Sequence, residues 1–197
     1  MDEKEFVSLL YGVKNPEAIF LELAGKQSLV FIKADAVNEL SAGLVHAALA
    51  RGFSGVYLSL NESFKYVAPL FAPAQPKAEL YYIDCVSSLA GPSLLEKEKC
   101  ILVSGPTSLM ELGVAIAMGI KKTEGTQAAG LGNRFLVFNS VNNFLIYNGR
   151  AGMSFLRKLL IKLKVSNITG LFLASKEAES NPKVSYIVNS FEHVVRL

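Results

Sequence analysis

Short apolar segments alternate with helical segments along this chain, and this alternation limits the folds that it can adopt. Seven segments are predicted to be strands: residues 29–33, 55–60, 80–84, 100–104, 135–138, 169–174 and 193–197. Most of them are apolar at consecutive positions rather than at every second one, which indicates burial on both faces of a sheet. The pattern predicts an α/β fold, a three-layer sandwich with a mostly parallel central sheet flanked by helices on both faces.

The segments between the predicted strands carry apolar residues at helical spacing. They predict helices at residues 16–23, 37–51, 62–71, 107–122, 154–165 and 182–190, after a shorter helical segment at 6–11. Asn15-Pro16 is a typical helix start, and Gly52 a typical helix end. With 197 residues, the chain is predicted to form a single domain over residues 1–197, of which 1–25 is a helical lead-in.

Composition narrows the classes of protein that the chain can belong to. Hydrophobic residues make up 51% and charged residues 19%, which excludes a disordered chain. A net charge of +3 without a long basic run does not favour a nucleic-acid partner. The polar N-terminus lacks an apolar signal core, and no apolar run is long enough to span a bilayer, so we expect a cytoplasmic protein without a membrane span. Two cysteines form neither a disulfide framework nor a metal site.

The turn after the first predicted strand lacks the residues that hold phosphate. A phosphate-binding loop at this place needs glycines, whose N–H groups wrap the oxygens, followed by Lys and Ser or Thr. No glycine occurs from Lys26 to Ala42. The scaffold of a nucleotide-binding domain is therefore predicted without its phosphate loop.

Three segments resemble those of the RecA-like ATPases, and within them the KaiC-like archaeal branch. The segments are ARGFSGVYLSLNES at 50–63, FLVFNSVNNFLIYN at 135–148 and NITGLFL at 167–173. In that family the first leads into a pair of acidic residues, the second is the Walker B strand, and the third is the next strand. The resemblance covers most of residues 26–197 and implies a RecA-like fold.

The family's catalytic positions are altered in this chain. The phosphate loop corresponds to residues 33–41, which do not match it; the Walker B acid falls on Asn139; and the acidic pair falls on Asn61 and Glu62. An amide at position 139 brings no negative charge to order Mg²⁺. The resemblance thus implies a degenerate member with no catalytic residue, no metal site, and neither ATP nor Mg²⁺ as cofactor. The vestigial nucleotide cleft would be formed by Lys33, Asp35, Asn38, Glu62, Asp84 and Asn139.

Three functions are compatible with these losses. The first is a non-catalytic binding, regulatory or scaffolding module that acts through homo-oligomers or beside an active ATPase. The second is a nucleotide-responsive switch with an atypical phosphate site at Lys33 and Glu62. The third is an unrelated enzyme that uses the same edge, with Asp35, Glu62 and Asp84 as candidates. Residues 111–120 are apolar nearly all round the predicted helix, which favours a protein partner or a second copy of the chain.

Several polar residues also have a purely structural interpretation. Glu62 is expected in the first turn of a helix, and Asp84 is expected to cap the turn that follows its strand. His46 and His193 lack other metal ligands at suitable spacing. The basic stretch 154–164 is interpreted as a packed helix with a solvated cationic face, rather than a surface for lipid or nucleic acid.

Overall fold

The computed structural model describes residues 15–71, 78–90, 99–125 and 133–197. The predicted helix 6–11 and most of the glycine-rich segment 125–132 lie outside these residues. Within them the strands are β1 (Gln27–Ile32), β2 (Ser54–Ser59), β3 (Leu80–Asp84), β4 (Cys100–Leu102), β5 (Arg134–Phe138), β6 (Thr169–Ser175) and β7 (His193–Arg196). The helices are α1 (Pro16–Leu23), α2 (Val37–Ala50), α3 (Phe64–Val67), α4 (Leu109–Lys122), α5 (Val141–Val165) and α6 (Pro182–Val188).

The strands of the described residues form one parallel sheet in the order β4-β3-β2-β5-β6-β1-β7. The central strands β1, β2 and β6 are buried along their whole length, as the continuous apolar segments predict. At Gly55 a β-carbon would lie 2.6 Å from the Phe135 ring of the neighbouring strand, so this pairing requires glycine. The predicted α/β fold with a parallel sheet is confirmed.

Alternate residues of each strand enter two separate cores, which place helices on both faces of the sheet. Leu29 and Phe31 point into the core that α4, α5 and α6 cover. Val30 and Ile32 point into the core that α1, α2 and α3 cover. The result is the predicted three-layer sandwich.

The ends of two helices confirm the predicted signals. The Asn15 side chain accepts a hydrogen bond from the Glu17 N–H at the start of α1, and Gly52 has a φ of 78° just after α2. No helix in the described part of the chain combines the length and the apolar content that a bilayer crossing requires.

Two predicted helices differ from those in the structure. The helix expected at 62–71 is α-helical only over Phe64–Val67 and continues as a 3₁₀ turn, because Pro69 has no N–H for the next α-helical bond. The helix expected at 154–165 begins at Val141 and bends at Gly149, which has a φ of 51°.

Candidate functional site

The carboxyl ends of β2 and β5 lie side by side, and from them the chain continues to opposite faces of the sheet. These strands are neighbours, yet β2 leads to α3 on one face and β5 leads to α5 on the other. Ligands of open parallel sheets bind in the crevice that such a reversal creates. We therefore take this edge as the candidate site.

The turn after β1 is closed by its own backbone. Residues Ala34–Ala36 form one 3₁₀ turn, and the Ala36 N–H donates to the Lys33 carbonyl over 3.0 Å. A phosphate loop instead needs a wide arc of free N–H groups. The turn thus joins β1 to α2 directly and does not form such an arc.

The charges beside this turn oppose an anion. Lys33 and Asp35 are both exposed. Partial desolvation raises the pKa of Glu39, and the nearby Asp35 carboxylate raises it further. The Asp35 and Glu39 carboxylates at the start of α2 therefore offset the attraction that Lys33 would exert on a phosphate.

Asn139, which follows β5, is bonded into a buried polar cluster. It is 1% exposed. Its Nδ2 donates to the Tyr57 hydroxyl over 2.8 Å and to Asn38 Oδ1 over 3.2 Å. The Tyr57 hydroxyl also lies 3.2 Å from the Ser41 hydroxyl. The Asn139 amide therefore connects β2, β5 and α2 within the protein.

The groups bonded directly to the Asn139 side chain are uncharged. Within the described residues, Asn139 Oδ1 makes no hydrogen bond. Burial raises the pKa of Tyr57, and its hydrogen bonds to Ser41 and Asn139 only partly offset this. The Tyr57 phenol is thus held in its uncharged form.

Glu62 is held by the same cluster. Its carboxylate accepts a hydrogen bond from Asn38 Nδ2 over 2.6 Å. The expectation that Glu62 lies in the first turn of a helix is wrong, because Ser63 is the N-cap of α3. The Glu62 backbone is instead fixed by Ser59, whose hydroxyl donates to its carbonyl over 2.6 Å.

Asp84 forms a second, separate cluster at the end of β3. It is 1% exposed, and its carboxylate accepts four hydrogen bonds. Two come from the N–H groups of Val86 and Ser87, one from the Ser87 hydroxyl, and one from the Phe64 N–H. The predicted capping role is confirmed, and the same carboxylate also tethers the start of α3.

A further layer of amides covers the start of α5. Asn143 Nδ2 donates to Asn61 Oδ1 over 2.7 Å. Asn142 Oδ1 accepts from the Ser175 N–H at the end of β6, over 3.3 Å. Ser140, the residue just before α5, has a φ of 75° and is 4% exposed, a strained conformation for a residue other than glycine. The cleft edge is thus tied together by side-chain amides.

The structure brings only some of the predicted cleft residues together. Asn38, Glu62 and Asn139 form one hydrogen-bonded group. Asp84 belongs to a different group, and Lys33 and Asp35 are exposed on the turn. The sequence reasoning missed Tyr57 and Ser41. The one available signal was the hydroxyl of Tyr57, which stands between Val56 and Leu58 in the middle of a buried strand.

The histidines and acids do not form a metal centre in the described part of the chain, where no three His, Cys, Asp or Glu side chains cluster suitably. His46 Nε2 instead bonds to the Leu70 carbonyl over 2.7 Å.

No protein-family model matches this chain, and no curated protein matches it. The comparisons therefore assign no family to the chain, and its function is inferred from the residues of the site.

Proposed function

We propose that this chain is a degenerate RecA-like domain of the KaiC-like branch that acts without catalysis, as a scaffolding module that forms homodimers. The lack of catalysis is supported by the closed turn at 33–36 and by the hydrogen bonds that engage Glu62, Asp84 and Asn139. Those side chains hold the fold together, which leaves them poorly placed to activate water or to order a metal ion.

The observation that carries the scaffolding role is an apolar stripe on the outer side of α4. Met110, Val114 and Met118 recur every fourth residue and are 86%, 55% and 47% exposed. The opposite side of the helix, including Leu112 and Ile116, is buried against the sheet. Scattered exposed apolar side chains are ordinary, but a continuous stripe on one helix marks an interaction surface.

The charges at the two ends of this stripe indicate which partner fits it. Glu111 lies in the first turn of α4 and Lys121 in the last, and both are exposed. An antiparallel pairing of two α4 helices at the level of Ile116 places Val114 opposite Met118. The same pairing places Glu111 opposite Lys121 of the other copy. The stripe is therefore self-complementary, as a two-fold interface requires.

Sedimentation velocity tests this proposal. We expect the wild type to associate reversibly at concentrations of about 10 to 100 μM, since a single helix pair is smaller than a standard interface. Met118→Glu should remain monomeric, because it buries a charge in the stripe. Leu21→Glu is the matched control: Leu21 is 52% exposed on α1, and the same charge change there should leave association intact.

A charge exchange tests the orientation. Lys121→Glu should weaken association by placing two carboxylates opposite each other, and the double variant Glu111→Lys/Lys121→Glu should restore it. A wild type that stays monomeric at every concentration tested would contradict the proposal. The stripe would then be a binding surface for a different protein.

A further inference from the structure

A cationic groove runs between α5 and α6, away from the carboxyl edge and from the stripe on α4. Its larger cavity has a volume of about 610 Å³ and is lined by Arg150, Met153, Ser154, Arg157, Pro182, Lys183 and Tyr186. Arg150, Arg157 and Lys183 supply three positive charges to it. Among the described residues, no carboxylate lines this cavity.

The groove continues along α5 into a second cavity of about 290 Å³. Arg157 lines both cavities. Lys164 lies at the far end, where it forms an ion pair with Glu192. The net positive charge is therefore concentrated in the first cavity and declines toward the second.

An aromatic ring lies among these cations. Tyr186 is 58% exposed, and the Arg157 guanidinium lies 4.7 Å from the centre of its ring. Arg157 Nε also donates to the Ser190 hydroxyl over 3.4 Å, so the guanidinium is held across the groove. A cationic groove with an exposed ring is the arrangement that binds a nucleic-acid backbone and stacks a base.

We propose that this groove binds single-stranded nucleic acid, with Arg150, Arg157 and Lys183 on the phosphates and Tyr186 beneath a base. Arg150 and Arg157 are two helical turns apart, about 10 Å along the axis, which suits successive phosphates better than one small anion. The cations line a concave groove, which a flat bilayer does not enter. A duplex, with its paired bases turned inward, offers no face to Tyr186.

The inference reverses the expectation that the basic stretch 154–164 is only a solvated face. The sequence shows the cations of α5, but the groove also needs Lys183 and Tyr186 from α6. It does not rest on homodimer formation, since it involves neither α4 nor the carboxyl edge.

Fluorescence anisotropy with a labelled oligothymidylate of about 12 nucleotides tests the proposal over a range of salt concentrations. The charge reversal Arg150→Glu/Lys183→Glu should weaken binding at least tenfold. It should also reduce the slope of log K against log salt by about 1.4, which is about 0.7 per lost phosphate contact. Both side chains are exposed, so the melting temperature should be unchanged.

Lys158→Glu/Lys162→Glu is the matched control. It makes the same change in net charge, on α5 alone and outside the residues that line the groove, and should weaken binding less than threefold. Tyr186→Ala should weaken binding about fivefold or more, whereas Tyr186→Phe, which keeps the ring, should bind like the wild type.

Equal losses in both double variants would overturn the proposal, since binding would then follow net charge alone. Binding of phosphatidylserine vesicles, but not of the oligonucleotide, would also overturn it in favour of a membrane surface. A mononucleotide that competes as strongly as the unlabelled oligonucleotide would also contradict the proposal. The groove would then be a site for a small anion and not for a nucleic-acid strand.

Discussion

Two buried polar residues lie at the carboxyl ends of the strands that flank β2: Asp84 ends β3, and Asn139 follows β5. Each is only 1% exposed. Asp84 is a carboxylate that accepts four hydrogen bonds from the turn around it and from α3. Asn139 is an amide that donates twice, while its oxygen makes no hydrogen bond in the described part of the chain.

The difference shows that burial alone does not identify a functional acid at this edge. A buried carboxylate is stable where N–H and O–H groups surround it, as they surround Asp84. Beside Asn139 the groups are a phenol and an amide, with Glu62 bonded to that same amide. A negative charge has a place at the end of β3, whereas the end of β5 now suits an uncharged side chain.

Removal of the Asp84 carboxylate should have the largest effect. Asp84→Ala leaves the N–H groups of Phe64, Val86 and Ser87 without their acceptor, and we expect a loss of about 3–5 kcal/mol in the free energy of unfolding. Urea denaturation measures this. Asp84→Asn keeps the shape and part of the hydrogen bonding, so its loss should be about half as large. A loss below about 1 kcal/mol for Asp84→Ala would show that the cluster is not structural.

A carboxylate introduced at position 139 should have the next largest effect. Asn139→Asp buries a charge near Glu62, and we expect it to destabilise the fold by about 2–3 kcal/mol at neutral pH. Burial and Glu62 should raise the pKa of the introduced carboxyl above its unfolded value of about 3.9. The difference from the wild type should therefore be small below that pH and grow as the pH rises through the folded pKa.

Asn139→Leu is the control for this substitution. It removes the two hydrogen bonds that Asn139 donates without adding a charge, and should lower the free energy of unfolding by about 1–2 kcal/mol. Unlike the loss in Asn139→Asp, this loss should not grow with pH. If Asn139→Asp is as stable as the wild type at neutral pH, the end of β5 accommodates a negative charge after all.

A smaller effect is expected at Tyr57. Tyr57→Phe removes the phenol that accepts from Asn139, and should cost about 1 kcal/mol in urea denaturation. Because burial raises the pKa of Tyr57 in the fold, the unfolded chain releases this proton first. The stability that Tyr57 contributes is therefore complete below its unfolded pKa of about 10 and is lost as the pH rises above it.

The variant should show a weaker decline of stability between about pH 9 and 11 than the wild type. An equal decline in both proteins would mean that the phenol ionises as readily in the fold as in the unfolded chain.

The strands could be predicted because their signal is local. Residues 28–32 and 169–175 are apolar or small along their length, and both lie in strands that are buried throughout. The first half of α5 could not be predicted, since Asn142, Asn143 and Asn148 are poor helix formers. It is helical because Phe144 and Leu145 are buried and because its amides bond to Asn61 and to the Pro106 carbonyl.

Only part of the candidate site could be predicted from the sequence, because its hydrogen bonds join residues that are far apart in the chain. The lack of glycine from Lys26 to Ala42 and the amide at Asn139 are visible in the sequence. The bond from Asn139 to Tyr57 joins residues 82 positions apart, and no local pattern indicates that pairing. The groove between α5 and α6 likewise depends on the packing of two helices.

The most direct test of the account is a thermal-shift titration of the wild type with ATP or ADP and Mg²⁺ at millimolar concentration. The closed turn at 33–36 and the hydrogen bonds that engage Asn139 predict no change in melting temperature. A nucleotide bound at 100 times its dissociation constant would add about 2.7 kcal/mol, which is a shift of several degrees in a chain of this size. A shift of that size, lost in Glu62→Gln, would contradict the account and restore the nucleotide-responsive switch.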